Sequence, residues 1–245
     1  MIDEIKNALK IMGNALPLPT RLKQFYLENG YAWDEVNILG IRGTNDFYTN
    51  KFLCLLALAT DTDLIVLRAT TVPGPNWTPE NCKKFDVSFA AVMCLGFYPN
   101  SYGLTKHRDH PPGFALGQRA PIKCFVDANR NSKMDEKPYI DKSNAMNIHS
   151  QSIGHSQSIG DTDEKVNFAS AGCQVAQSRE LFLNVFMPVV RSSVEGKKGN
   201  AGRFNYFLTD FEQFPFYSEF DDEATGKDKS VVKCIFQKAG SRNNK

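Results

Sequence analysis

The chain has 245 residues, of which 42% are hydrophobic and 23% charged, with a formal net charge of +2. That balance suits a globular protein of one large domain or two small ones and leaves no electrostatic footprint for nucleic acid. No run approaches the roughly 18–20 apolar residues of a membrane span, since the longest candidate, "FLCLLALA" at 52–59, has only strand length.

In chain order, "MIDEIKNALKIMGNAL" places Ile2, Ile5, Ala8, Leu9 and Met12 at helical spacing and reads as an amphipathic helix. Its early Asp3 and Glu4 do not suit a secretory signal peptide, so the expectation is synthesis in the cytoplasm without export by the general route. A second helix is predicted from about Pro19 to Glu28, stopped by Asn29 and Gly30. This gives an N-terminal helical segment over 1–33 and a β-rich domain over 34–245, with its core at about 36–210.

Short apolar or alternating runs divided by turn residues then predict strands at 36–42, 52–60, 64–72 and 87–98. "YGLTKH", "PIKCFVD" and "AMNIHS" continue the pattern to 150. "SRELFLNVFMPVV" at 178–190 predicts a helix that Pro188 should end or kink. Strands at 203–210 and 230–236 close the chain around a polar loop at 218–229. The fold class is therefore mainly β, sandwich- or barrel-like, with helical additions at the N-terminus and around 178–190. The basic clusters "EGKKGNAGR" (195–203) and "KAGSRNNK" (238–245) read as solvated loops.

The six cysteines show no C-x-x-C pair and no metal spacing. Cys54, Cys94, Cys124 and Cys234 sit in apolar runs, where free cysteine behaves as a small hydrophobe. Cys82 has no clear place. Cys173 differs, with Ser170, Gly172 and Gln174 around it, and has the one neighbourhood built for access.

"DANRNSKMD" puts Asp127, Asn129, Asn131 and Asp135 at positions 1, 3, 5 and 9 of a calcium loop. Ser132 replaces the glycine at position 6 and Pro138 stands at position 12, so a polar turn after the strand is the preferred reading and no cofactor is expected. His107 and His110 in "KHRDHPP" lack partners at ligand spacing and read as a solvated loop, with a place beside a cleft as the alternative. Trp77 and the aromatics of "QFPFY" (213–217) read as core or rim.

The chemistry concentrates in "NIHSQSIGHSQSIGDTDEKVNFASAGCQV", residues 147–175. A cysteine nucleophile needs a lowered pKa, an oriented base and backbone N–H groups for the oxyanion. His149, on a strand opposite in side to Ile148, can supply the imidazole. Gly172 permits close backbone approach, and the amides of Gly172 and Cys173 can receive an oxyanion. Ser170 either orients the imidazole or serves as a turn residue.

A histidine followed by "SAGC" resembles the motif of the L,D-transpeptidase catalytic domain, the YkuD-like family of peptidoglycan-modifying cysteine enzymes. That family places a mid-teens loop between its histidine and Ser-His-Gly-Cys. Here Cys173 lies 24 positions beyond His149 (173 − 149), and removing one "HSQSIG" copy leaves 18 (24 − 6). The repeat at 149–154 and 155–160 thus reads as a tandem duplication in a surface loop, a cheap change in closure entropy. It also creates a second candidate base, His155, itself 18 positions before Cys173 (173 − 155). His149 is preferred because a strand holds it.

"HPPGFALGQRAPIKCFVDANRNSKMD", "MNIHS" and "SAGCQV" together resemble a divergent phage and bacterial branch of that family, well over 115–175 and loosely over 36–210. The family's second motif histidine is Ala171 here, and Val175 stands where an arginine on the substrate side is usual. The resemblance implies attack by Cys173 on the carbonyl of an L-centre next to a D-residue in peptidoglycan stem peptides. His149 would move the proton, and transpeptidase, carboxypeptidase or endopeptidase action would follow. Wall access would come by phage lysis, a virion or a secretion system. Two rivals are an inactive wall-binding or structural protein that keeps the fold, and a cysteine peptidase acting on proteins. The oligomeric state is left open.

Overall fold

The computed structural model describes residues 16–43, 48–87, 90–127, 133, 136–142, 146–151, 165–195 and 202–216. The expected helix over 2–12, the strand at 230–236 with Cys234, the loop at 218–229 and the tail at 238–245 lie outside them. So do His155 and the calcium-loop candidates Asn129, Asn131 and Asp135.

Eight strands close into a barrel of mainly β architecture. They are β1 (Asn37–Arg42), β2 (Cys54–Ala59), β3 (Leu64–Thr70), β5 (Gly96–Thr105), β6 (Ala115–Gln118), β9 (Ile148–Ser150), β10 (Gln174–Ala176) and β11 (Arg203–Asp210). Their order around the sheet is β1-β11-β5-β6-β9-β10-β3-β2. The pairs β1–β11 and β9–β10 are parallel and the rest antiparallel. A separate three-stranded sheet runs β4 (Ala91–Met93), β7 (Ile122–Val126), β8 (Tyr139–Asp141).

The central strands are buried along their whole length because both faces are covered. Side chains alternate across a strand. On β1–β3, Ile38, Leu56, Leu58, Ile65 and Leu67 therefore enter one cluster with Phe182, Phe186, Met187 and Val190 of the late helical segment. Leu39, Ile41, Leu55, Ala57 and Val66 point the other way, onto Leu22 and Tyr26 of helix α1 (Leu18–Glu28) and onto Phe214. Leu22 is fully buried, which contributes about 2 kcal/mol. The N-terminal helix is thus a wall of the barrel's second core, and Phe214 and Phe216 belong to that core as expected of core aromatics.

One expectation needs correction and another is narrowed. The run 87–98 is not one strand. It splits into β4 and β5, which belong to different sheets, because Gly96 takes φ 150° and redirects the chain. Of the end or kink expected at Pro188, the end does not occur. The segment runs through α3 (Arg179–Leu181), a π turn (Phe182–Phe186) and α4 (Met187–Ser192). The wider turn falls just before the proline, whose missing N–H is thereby absorbed at the junction. A further short helix, α2 (Pro79–Lys84), is capped by Thr78, whose side chain accepts from Asn81 N.

The buried guanidinium of Arg42 joins the two sheets, donating to Thr71 Oγ1 at 3.3 Å and to Met93 O at 2.6 Å. Gly40 leaves room for the Tyr206 hydroxyl, which a Cβ at that position would overlap. Tyr206 in turn donates to Gln174 Oε1 at 3.0 Å, and Gln174 Nε2 donates to Gly172 O at 3.3 Å. The barrel core is therefore hydrogen-bonded directly to the turn before β10.

Candidate active site

Strands β9 and β10 are parallel neighbours, with Val175 paired to His149 and Gln174 to Ile148. Parallel neighbours need a crossover, and this one returns the chain at Cys173 beside the strand from which it left. His149 and Cys173 accordingly line one cleft of about 340 Å³, with Trp77, Asp86, His107, Arg108 and Gly172. Of the described cysteines, Cys54, Cys82, Cys94 and Cys124 are buried, whereas Cys173 keeps part of its surface. Cys82 packs with Trp77 and Ala90.

The imidazole of His149 is buried, and its Nδ1 lies 2.6 Å from Ser150 O. A carbonyl only accepts, so Nδ1 carries the proton and Nε2 keeps a lone pair. His107 stacks on this ring with centroids 4.1 Å apart and an interplanar angle of 23°. Asn147 Nδ2 donates to His107 Nδ1 at 3.3 Å, which puts the neutral ring's proton on Nε2. His110 donates from Nδ1 to His107 O at 3.1 Å and accepts at Nε2 from Ser150 Oγ at 2.8 Å.

The two histidines of "KHRDHPP" are therefore not solvated, although Lys106, Arg108, Asp109, Pro111 and Pro112 are exposed. His110 is 2% exposed and His107 lines the cleft. Arg179 turns the loop inward, donating to Asp109 O at 3.2 Å and to Gln151 O at 3.1 Å and pairing with the Asp109 carboxylate at 3.4 Å.

Burial holds all three imidazoles below their ordinary pKa. His149 lies well below it, with the neighbouring His107 adding to the effect of burial. His107 is lowered to about 4 by burial and then by Arg108. His110 is lowered by burial and Arg179. Burial also pushes the Cys173 thiol above its ordinary value, against the backbone N–H groups of Asn147 and Cys173 and the charge of Arg108, which favour the thiolate. The expected lowering of the thiol pKa by a charged imidazole is thus absent. At rest the cleft holds a neutral thiol and a neutral imidazole.

Ser170 does not orient the imidazole. Its fully buried hydroxyl donates to Cys173 O at 2.8 Å and accepts from Gly172 N at 3.1 Å, closing the turn on itself. The Gly172 N–H is thereby engaged within the turn, so the expected pair of oxyanion amides is not intact. Gly172 adopts φ 146°, and a Cβ there would come 2.6 Å from Ala91 O. Two bonds of 2.9 Å brace the turn from outside, Gly74 N to Ser170 O and Ala91 N to Ala171 O.

Asp127 follows β7 and is buried. Among the described residues no group of three or more His, Cys, Asp or Glu is arranged to hold a metal ion. No helix among them is long and apolar enough to cross a membrane. No family model, curated protein or solved structure matches the chain.

Proposed function

We propose that this chain is a cysteine-dependent acyltransferase or peptidase of the L,D-transpeptidase type, acting on L,D bonds of peptidoglycan stem peptides. The observation that carries the reading is the convergence of Cys173 and His149 on one cleft, with the Nδ1–Ser150 bond leaving His149 Nε2 as a base. The order of residues, His149 then Ser170-Ala171-Gly172-Cys173, supports the family assignment and the fold type that goes with it.

In the proposed reaction His149 Nε2 takes the thiol proton as Cys173 Sγ attacks the carbonyl carbon of the L-residue. The imidazolium then gives that proton to the nitrogen of the departing D-residue, the C–N bond breaks, and a thioester remains on Cys173. An incoming amine, deprotonated by His149, displaces sulfur and forms a new amide. Water in its place forms a free carboxylate, and either way the proton returns to sulfur. A neutral starting pair suits this sequence, because proton transfer accompanies attack. No cofactor enters, and delivery to the wall by a phage or secretion route completes the proposal.

The test is mass spectrometry of muropeptides incubated with wild type and with Cys173→Ala. New cross-links or trimmed stems made only by wild type support the enzyme. Unchanged muropeptides from several wall types would favour the second reading, a wall-binding protein with a retired site. The raised thiol pKa and the engaged Gly172 amide favour that alternative.

A further inference from the structure

Three donors converge on one buried nitrogen outside the reacting pair. His110 Nε2 faces the Ser150 hydroxyl at 2.8 Å, the Ser150 N–H at 3.3 Å and Arg179 Nη1 at 3.4 Å. Donors need a lone pair to point at, so His110 carries its proton on Nδ1, where it donates to His107 O at 3.1 Å. Asp109 Oδ1 lies 3.5 Å from that same Nδ1. Ser150, His110 and Asp109 stand in the order of nucleophile, base and orienting carboxylate. They do not make a second nucleophile, because Ser150 has no exposed surface and does not line the cleft.

The use of this arrangement lies in the other end of Ser150. Its carbonyl accepts from His149 Nδ1 at 2.6 Å. Which nitrogen of a neutral imidazole holds the proton follows from the bond that the other one makes. A Ser150 carbonyl turned away would let the proton settle on His149 Nε2, which could then take none from Cys173. Strand β9 is three residues long and ends at Ser150, so the sheet alone holds this peptide at its margin. Side chains complete the hold. His110 takes the N–H and the hydroxyl of Ser150, and Arg179 donates to Gln151 O at 3.1 Å on the next peptide.

We infer that His110 is a positioning residue for the base. Through Ser150 it keeps the carbonyl on His149 Nδ1 and the lone pair on His149 Nε2. Arg179 closes the arrangement, reaching His110 Nε2, Gln151 O and Asp109 O together. His110 does not line the cleft, so its loss should act on the rate of the chemical step and not on the hold on substrate. The catalytic consequence rests on the reading of Cys173 and His149 as a reacting pair, whereas the effect on the His149 proton does not.

The test is nitrogen-15 NMR of histidine-labelled protein at neutral pH, with the His149 signals assigned through His149→Gln. Wild type should show the proton on Nδ1. His110→Phe keeps a ring and loses the acceptor, and should shift the His149 proton toward Nε2. Its kcat on muropeptides should fall on the order of tenfold to a hundredfold, the scale seen when an imidazole loses an outer partner that orients it, with KM within about twofold. His110→Gln offers an oxygen near the lost Nε2 and should restore most of both. Ser150→Ala removes the hydroxyl alone, should act in the same direction, and should cost little more when added to His110→Phe, because both lie on one path. If His110→Phe does not fold, wild type and Ser150→Ala decide the matter. A wild-type proton on Nε2, or a His149 tautomer that Ser150→Ala and folded His110→Phe leave unmoved, would overturn the inference, and turnover in that protein would leave the cysteine-enzyme reading standing. A tautomer that moves as expected in a protein without turnover would support the positioning role and sink that reading.

Discussion

The imidazole of His107 lies flat against that of His149, 4.1 Å from centroid to centroid, and His110 meets His149 edge-on at 5.8 Å. Three bases this close cannot all be charged, and burial already favours the neutral form of each.

The first prediction concerns acid. In the unfolded chain these histidines bind protons near pH 6.5, whereas in the fold His107 waits until about 4. Between those limits the unfolded state holds more protons, so stability is full above pH 6.5 and falls as pH drops. The loss is about 1.4 kcal/mol per pH unit for each proton taken up on unfolding. Denaturant titrations from pH 7 to 4 should show this slope, and His107→Gln should make it shallower. A slope unchanged by that substitution would refute the assignment.

The second concerns the thiol. A pKa raised by burial means that iodoacetamide should modify Cys173 slowly at pH 7 and faster above pH 9. His149→Ala should leave the neutral-pH rate within about threefold, because no imidazolium is there to be lost. If the enzyme reading holds, the acid limb of kcat/KM lies well below pH 6.5, where His149 finally protonates. Rapid alkylation at pH 5 that vanishes in His149→Ala would show an ion pair instead.

The third concerns the nucleophile turn. Ser170→Ala strands the Gly172 N–H and the Cys173 carbonyl in a fully buried place, at about 1–3 kcal/mol. Gly172→Ala meets both an unfavourable φ and Ala91 O, and should lower Tm by a comparable amount. Turnover should fall further than stability in each, since both displace Cys173. Melting curves set beside initial rates check this, and loss of stability alone would make the turn merely structural.

The fourth concerns the repeat. Deleting residues 155–160 shortens the crossover yet keeps its anchors in β9 and β10, and should change stability by only about 0.3 kcal/mol. The deletion leaves one histidine where the repeat stood, so the base is assigned by His149→Ala and His155→Ala in the full chain instead. Activity lost in His149→Ala alone assigns the base to His149, and activity lost in His155→Ala alone assigns it to His155.

Much of this is legible in the sequence. Alternation on 36–42, 52–60 and 64–72 marked β1–β3, and the helix expected from Pro19 is α1 almost to the residue. "AMNIHS" and "SAGC" also mark out two chain segments that come to lie side by side. What local pattern did not show was assigned by distant partners. Strand β10 is three residues long, and β6 reads "ALGQ", with no β-branched residue to announce it. His110 lies in a run as polar as any loop, and only Arg179 and Ser150, 69 and 40 positions away, bring it inside. The one available signal was that three of the chain's four histidines fall between 107 and 149.

The Arg42 bridge has a consequence for how the site moves. Arg42 fastens β1 to Met93 O on β4, and Ala91 of that same strand holds Ala171 O. From the other side, Tyr206 reaches Gly172 through Gln174. The nucleophile's turn is thus spliced into the most protected cooperative unit rather than hung from a lid. Its amides should exchange with deuterium only as slowly as the barrel strands themselves, and among the described residues baring Cys173 means loosening Gly74, Ala91 and Gln174 as well.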